Sequence, residues 1–114
     1  MASSLQKLVL GNTLAPPQRE LLQRLLEKST TGYSRIRASV PKGWVVADKT
    51  GTADYGTTND IAIIWPSKCS PIILAIYYTQ DNKNARQRDD VLATTTRDII
   101  KRFAETDQCI KSVV

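Results

Sequence analysis

Between Gly43 and Gln80 three apolar runs, GWVVADKTGT, DIAIIWP and SPIILAIYYTQ, follow one another with only short turn-rich stretches between them. Connections this short make an antiparallel meander the natural arrangement, with strands expected over 44–52, 59–66 and 71–80. The third run constrains the fold most, because Ile72, Ile73, Leu74, Ala75, Ile76 and Tyr77 are apolar on both faces. Such a strand expects cover above and below and a neighbour on each side. A sequential meander gives it only DIAIIWP, so its other edge is bare, and a bare apolar edge is a site of aggregation or of partner binding. Part of the sheet is therefore expected to lie outside this chain.

Helical periodicity surrounds the meander. In SSLQKLVLG, Leu5, Leu8 and Val9 share one face and Gly11 offers a left-handed cap, which predicts a helix over 1–10. Pro17 opens a second helix, 17–28, whose stripe is Leu21, Leu22, Leu25 and Leu26 and which Gly32 closes. A loop with Arg35, Arg37 and Pro41 leads into the strands, and Val91, Leu92, Ile99, Ile100 and Phe103 predict a last helix over 84–105. Residues 1–114 thus read as one α+β unit, an antiparallel three-strand meander flanked by helices, with no internal repeat.

Composition removes several kinds of chemistry. The chain has no histidine, which excludes Ser-His-Asp and Cys-His mechanisms and His-ligated zinc and leaves Lys, Asp, Glu and Tyr for acid-base work. Cys69 and Cys109 are too few and too far apart for a metal knuckle or a C-x-x-C motif, and spacing does not say whether they pair. No metal or other cofactor is expected. The net charge of +5 is spread among acids, as in Arg86, Arg88, Asp89 and Asp90, so no nucleic-acid partner is expected. No run approaches the ~20 apolar residues of a membrane span. The opening MASSLQKLVLGN lacks the pattern of an export signal, so the chain as written is expected to stay where it is made.

Lys49, Thr50 and Gly51 form a K-T-G triplet in the first strand, followed by Thr52. Alternation sends Lys49 and Gly51 to one face and Thr50 and Thr52 to the other, so one ligand meets both sets only at a sheet edge. A cation, two hydroxyls and a glycine that admits close approach suit an anionic substrate lying along that edge. Three residues recur by chance, but PKGWVVADKTGTADYGTTNDIAIIWP, with LQKLVLGNTLAPPQRELL before it and RDDVLA after it, resembles the C-terminal part of class A serine β-lactamases. K-T-G belongs to that family's signature set beside S-x-x-K and S-D-N. The pattern is nearest to the cefotaximase and carbapenemase branches and covers nearly the whole chain.

The resemblance implies a β-lactamase/transpeptidase-like fold, in which the meander is the C-terminal part of a five-stranded sheet and the active site lies between that sheet and an all-helical domain. It implies β-lactam hydrolysis through an acyl-enzyme, normally by an exported bacterial protein. Lys49 would raise the potential that attracts the substrate carboxylate, Thr50 and Thr52 would bind that carboxylate, and the Thr52 backbone N–H would be one of two oxyanion donors. Ala53 stands where cephalosporin access is tuned. Arg35 matches a position from which some members reach the same carboxylate, and Asp60 is expected to hold the strand beside Lys49. Other members place a basic residue near the start of the last helix, where this chain has Arg88 and Asp89.

The family's attacking serine belongs to an S-x-x-K motif, and the string Ser4 to Lys7 matches it. It lies on the helix that leads into LVLGNTLAPP, far downstream of the nucleophile's helix in the family pattern, so Ser4 is not expected to be catalytic. S-D-N and the hydrolytic glutamate with its nearby asparagine are absent, and Glu20 and Glu27 read as the solvated side of a helix. The chain is thus expected to be inactive alone and to be complemented by a missing N-terminal half. Two alternatives stay open: a non-enzymatic module that pairs through the third strand's edge, and a fragment of a penicillin-binding transpeptidase. The tail AETDQCIKSVV runs past the usual family end and has no account at this stage.

Overall fold

The computed structural model describes residues 1–114. Helix α1 (Ala2–Leu5) widens into a π-turn over Gln6–Leu10. Helix α2 (Pro16–Glu27) and a 3-10 turn (Ile36–Ser39) come next. Strands β1 (Val45–Ala53), β2 (Thr57–Trp65) and β3 (Ile72–Tyr78) precede helices α3 (Asp89–Thr106) and α4 (Gln108–Val113). The sheet order is β1-β2-β3 with both pairs antiparallel, which is the expected meander.

Strand alternation builds two cores. Ile63 and its neighbours Ile61, Trp65 and Ile73 meet Leu5, Val9, Leu22 and Leu26, so α1 and α2 cover one face. On the other, Val46, Ala62, Ile64 and Ile72 pack with Ile36 and Ile110. The doubly apolar β3 is thus covered above and below, yet it bonds to β2 alone. Tyr77 on it is 59% exposed.

Several boundaries differ from the sequence expectation. Helix α3 starts at Asp89, not at residue 84, because the preceding segment is tied to the β1–β2 hairpin. Tyr55 N–H donates to Lys83 O (3.1 Å), Gln80 N–H to Tyr55 O (2.8 Å), and Arg88 N–H to Thr58 Oγ1 (2.9 Å). Those bonds also stop β3 at Tyr78. Gly11 has φ −95°, not left-handed, and the turn before it closes through Gly11 N–H to Gln6 O (3.0 Å). A Cβ on Gly11 would lie 2.8 Å from Lys7 O, so glycine serves close approach there. On α2 only half the leucine stripe is used: Leu22 and Leu26 pack inward, while Leu21 and Leu25 are exposed.

The hairpin tip needs left-handed backbone at Tyr55 (φ 65°) and Gly56 (φ 60°), as in a type I′ turn. A Cβ on Gly56 would also come within 2.0 Å of Gln80 Nε2 and 2.7 Å of Arg86 O. Gly56→Ala is expected to cost about 2 kcal/mol or more in unfolding free energy, read from a urea titration.

The tail is an ordered part of the molecule. Asp107 caps α4 by accepting from Cys109 N–H (2.9 Å) and Ile110 N–H (3.2 Å). Ile110 is buried in the second core, and a disulfide joins Cys109 to Cys69 in the β2–β3 connection, 40 residues away.

Candidate functional site

Strand β1 is an edge strand, so the K-T-G residues lie along an unpaired side of the sheet. Lys49, Gly51, Thr52 and Ala53 are exposed and Thr50 is half-buried. Lys49 Nζ donates to Thr50 O (2.6 Å), and the hydroxyls of Thr50 and Thr31 share a hydrogen bond of 2.7 Å. Thr31 was invisible to motif reading, because nothing in its own segment links it to β1.

Arg35 is not a surface arginine. It is 3% exposed, and each of its guanidinium nitrogens is engaged. Nε donates to Asp89 Oδ1 (2.9 Å), one terminal nitrogen to Asn59 O (2.8 Å) and Gly51 O (3.1 Å), and the other to Thr52 Oγ1 (2.6 Å). The guanidinium thus ties the start of α3 to β1 and β2 and holds the Thr52 hydroxyl. Asp89 is Arg35's ion-pair partner, while Arg88 pairs with Asp90 at the surface.

A second arginine works beside it. Arg37 Nε donates to Asp48 Oδ1 (2.7 Å), and its other nitrogen caps the end of α2 through Leu26 O and Glu27 O (3.1 Å each). Ile36 N–H donates to Asp60 Oδ2 (3.2 Å). Burial, aided by the neighbouring Asp48 carboxyl, pushes the Asp60 carboxyl up to about 8, against the pull of the Ile36 N–H and the Arg35 charge. Asp48 and Asp60 are both wholly buried.

Linkage gives this a sign. The folded protein holds a proton on Asp60 that the unfolded chain releases near pH 4, so the Asp60 contribution is full below that pH and is lost as pH rises through about 8. Wild type is therefore expected to lose stability relative to Asp60→Asn between pH 5 and pH 9, at no more than about 1.4 kcal/mol per pH unit. Urea midpoints of both proteins at the two pH values measure it.

Ser4 and Lys7 are both exposed, on α1 and its π-turn rather than on β1. No group of three or more His, Cys, Asp or Glu side chains stands together as a metal site, and no helix is long and apolar enough to cross a membrane. A concavity of about 470 Å³ lies on α3 between Thr95, Ile99 and Phe103. The K-T-G edge is a single wall, and a cleft needs a second one.

Comparison with known proteins bears on that wall. A model described as the β-lactamase enzyme family matches residues 1–103. A β-lactamase of Proteus vulgaris is 48% identical over 108 residues, which is 95% of this chain and 40% of that protein. One of Citrobacter koseri is 54% identical over 97 residues, covering 85% of this chain and 33% of its own length. The Escherichia coli β-lactamase Toho-1 is 48% identical over 103 residues, covering 90% and 35%. The chain spans two fifths or less of these relatives.

Proposed function

Since the chain belongs to the class A serine β-lactamase family, we propose that it supplies the substrate-binding edge of a β-lactam-hydrolysing enzyme whose attacking serine lies outside these 114 residues. The observation that carries this reading is the K-T-G triplet on the free edge of β1, with the Thr52 hydroxyl gripped by a buried Arg35.

Lys49 supplies the positive charge that draws in the carboxylate of a β-lactam, and the hydroxyls of Thr50 and Thr52 bind it. Gly51 carries no side chain to block the approach. The Thr52 N–H is one donor to the oxyanion that forms when the ring carbonyl is attacked, a role worth about 3 to 4 kcal/mol of transition-state stabilisation. Ala53, next along the edge, borders the substrate's flank. Arg35 has no free nitrogen in this arrangement and acts through Thr52. The second wall, with serine, lysine and hydrolytic glutamate, comes from the rest of the enzyme. The same segment covers what this chain leaves open: the edge of β3, Tyr77, and Leu21 and Leu25 of α2.

Co-expression tests it. The chain is paired with the remainder of the Proteus vulgaris relative, divided where its match to this chain starts. Hydrolysis of a cephalosporin is expected from the pair and from neither part alone. Lys49→Ala is expected to lower it by about 100-fold or more, the scale of removing one electrostatic stabiliser. A soluble, associated pair without activity, or one indifferent to Lys49→Ala, overturns the reading.

A further inference from the structure

Two buried carboxyls, Asp48 and Asp60, lie directly behind the substrate edge. We propose that Asp48 and Asp60 hold one proton between them and in that state clamp the Arg35–Arg37 loop onto β1, so that the Arg35 guanidinium is presented to Thr52.

Geometry puts the two acids together. In the β1–β2 register Thr50 faces Asp60 and Asp48 faces Ala62, which makes Asp48 and Asp60 diagonal neighbours on one face of the sheet. One oxygen of each is engaged from the loop: Asp48 Oδ1 by Arg37 Nε at 2.7 Å, and Asp60 Oδ2 by Ile36 N–H at 3.2 Å. The remaining oxygens, Asp48 Oδ2 and Asp60 Oδ1, are buried and have no donor from any other group. Asp48 Oδ2 also packs against Gly32, where a Cβ would come within 1.9 Å, so no side chain of residue 32 stands there. A buried oxygen without a donor is costly, and two ionised carboxylates in one dry site are costlier. A single proton, carried by one acid and accepted by the other, satisfies both.

Charge balance gives the same count. Arg35 and Arg37 are the cations facing this layer, Arg35 attracting Asp60 and Arg37 bound to Asp48. Asp89 already pairs with Arg35. One ionised carboxyl of the dyad balances the second guanidinium, and a second ionised carboxyl would be uncompensated. Lys49 cannot supply the difference, because strand alternation sends it to the opposite face from Asp48.

Arg35 is the residue next to the two clamped ones. With Ile36 and Arg37 fixed, its guanidinium meets Gly51 O, Asn59 O and Thr52 Oγ1 together. Asp48 and Asp60 are therefore positioning residues for the edge. Their effect on catalysis rests on the proposed function above, whereas the shared proton does not.

Carboxyl ¹³C NMR of the aspartate-labelled chain, titrated from pH 5 to pH 10, tests this without turnover, so a failed complementation leaves the result readable. In wild type the Asp60 carboxyl is expected to titrate near its raised value of about 8, with the Ile36 and Thr52 amide protons shifting at the same midpoint. In Asp48→Asn the Asp60 midpoint is expected about two pH units lower or more, since an amide donates to the carboxylate instead of repelling it. Asp60→Asn, which mimics the protonated acid, is expected to hold the Ile36 and Thr52 amides constant over the alkaline range. If both carboxyls of wild type titrate in the ordinary acid range, or if the Ile36 and Thr52 amides keep an alkaline midpoint in Asp60→Asn, the proposal is overturned. Survival of the alkaline Asp60 midpoint in a folded Asp48→Asn also overturns it, because burial alone would then hold the proton.

Discussion

The purified chain is expected to leave a chromogenic cephalosporin untouched, at a rate about a millionfold below that of an intact relative, which is the scale of losing a nucleophile. In the proposed role the K-T-G edge binds and polarises the substrate, but polarising a carbonyl does not attack it. Neither hydroxyl of the triplet strand is free to attack: those of Thr50 and Thr52 are bonded to Thr31 and Arg35, and no histidine exists to activate either. Half of the oxyanion hole is also absent if its other donor is the nucleophile's own N–H, as the family pattern implies. Ser4→Ala is expected to change nothing. Measurable turnover by the chain that Ser4→Ala removes would show that the local S-x-x-K is functional after all.

A second large effect is expected from the tail. Replacing Cys69 and Cys109 together by serine is expected to lower the unfolding free energy by about 4 kcal/mol, from the chain entropy released when a loop of this length opens. A 40-residue separation makes the constraint substantial. Against a typical total of about 5 to 15 kcal/mol, this is a large fraction. The mechanism is specific, because α4 is only six residues long and too short to persist unaided. Its Asp107 cap, the disulfide and Ile110 are what seat it on Ile36, Val46 and Ile64. Urea unfolding of the oxidised wild type and the double serine variant decides it. An unchanged midpoint would mean that α4 contributes nothing to the core.

These two expectations differ in how far the sequence foretold them. The meander was legible because its turn residues and its doubly apolar third strand admit little else, and the bare β3 edge followed from the same run. K-T-G was legible as a motif, and alternation alone required an edge strand. The buried layer beneath it was not. Asp48, Arg35 and Arg37 look like ordinary charged residues in a strand and a loop, and only the register that sets Thr50 against Asp60 brings them together. The start of α3 was misplaced for a similar reason, since the bonds from Lys83 and Arg88 to the hairpin are long-range and leave no local periodicity. Asp107 before a short apolar turn was a readable capping signal, but the value of that turn depends on a cysteine 40 residues away.

In the proposed division of labour this chain holds a β-lactam while another segment attacks it. Acyl-adduct mapping tests that most directly. The complemented pair is incubated with a slowly deacylated β-lactam, denatured, and weighed part by part by mass spectrometry. The added mass is expected on the partner segment alone, with its yield reduced by Lys49→Ala on this chain. An adduct on this chain, at Ser4 or at Thr50 or Thr52 of the edge itself, would contradict it.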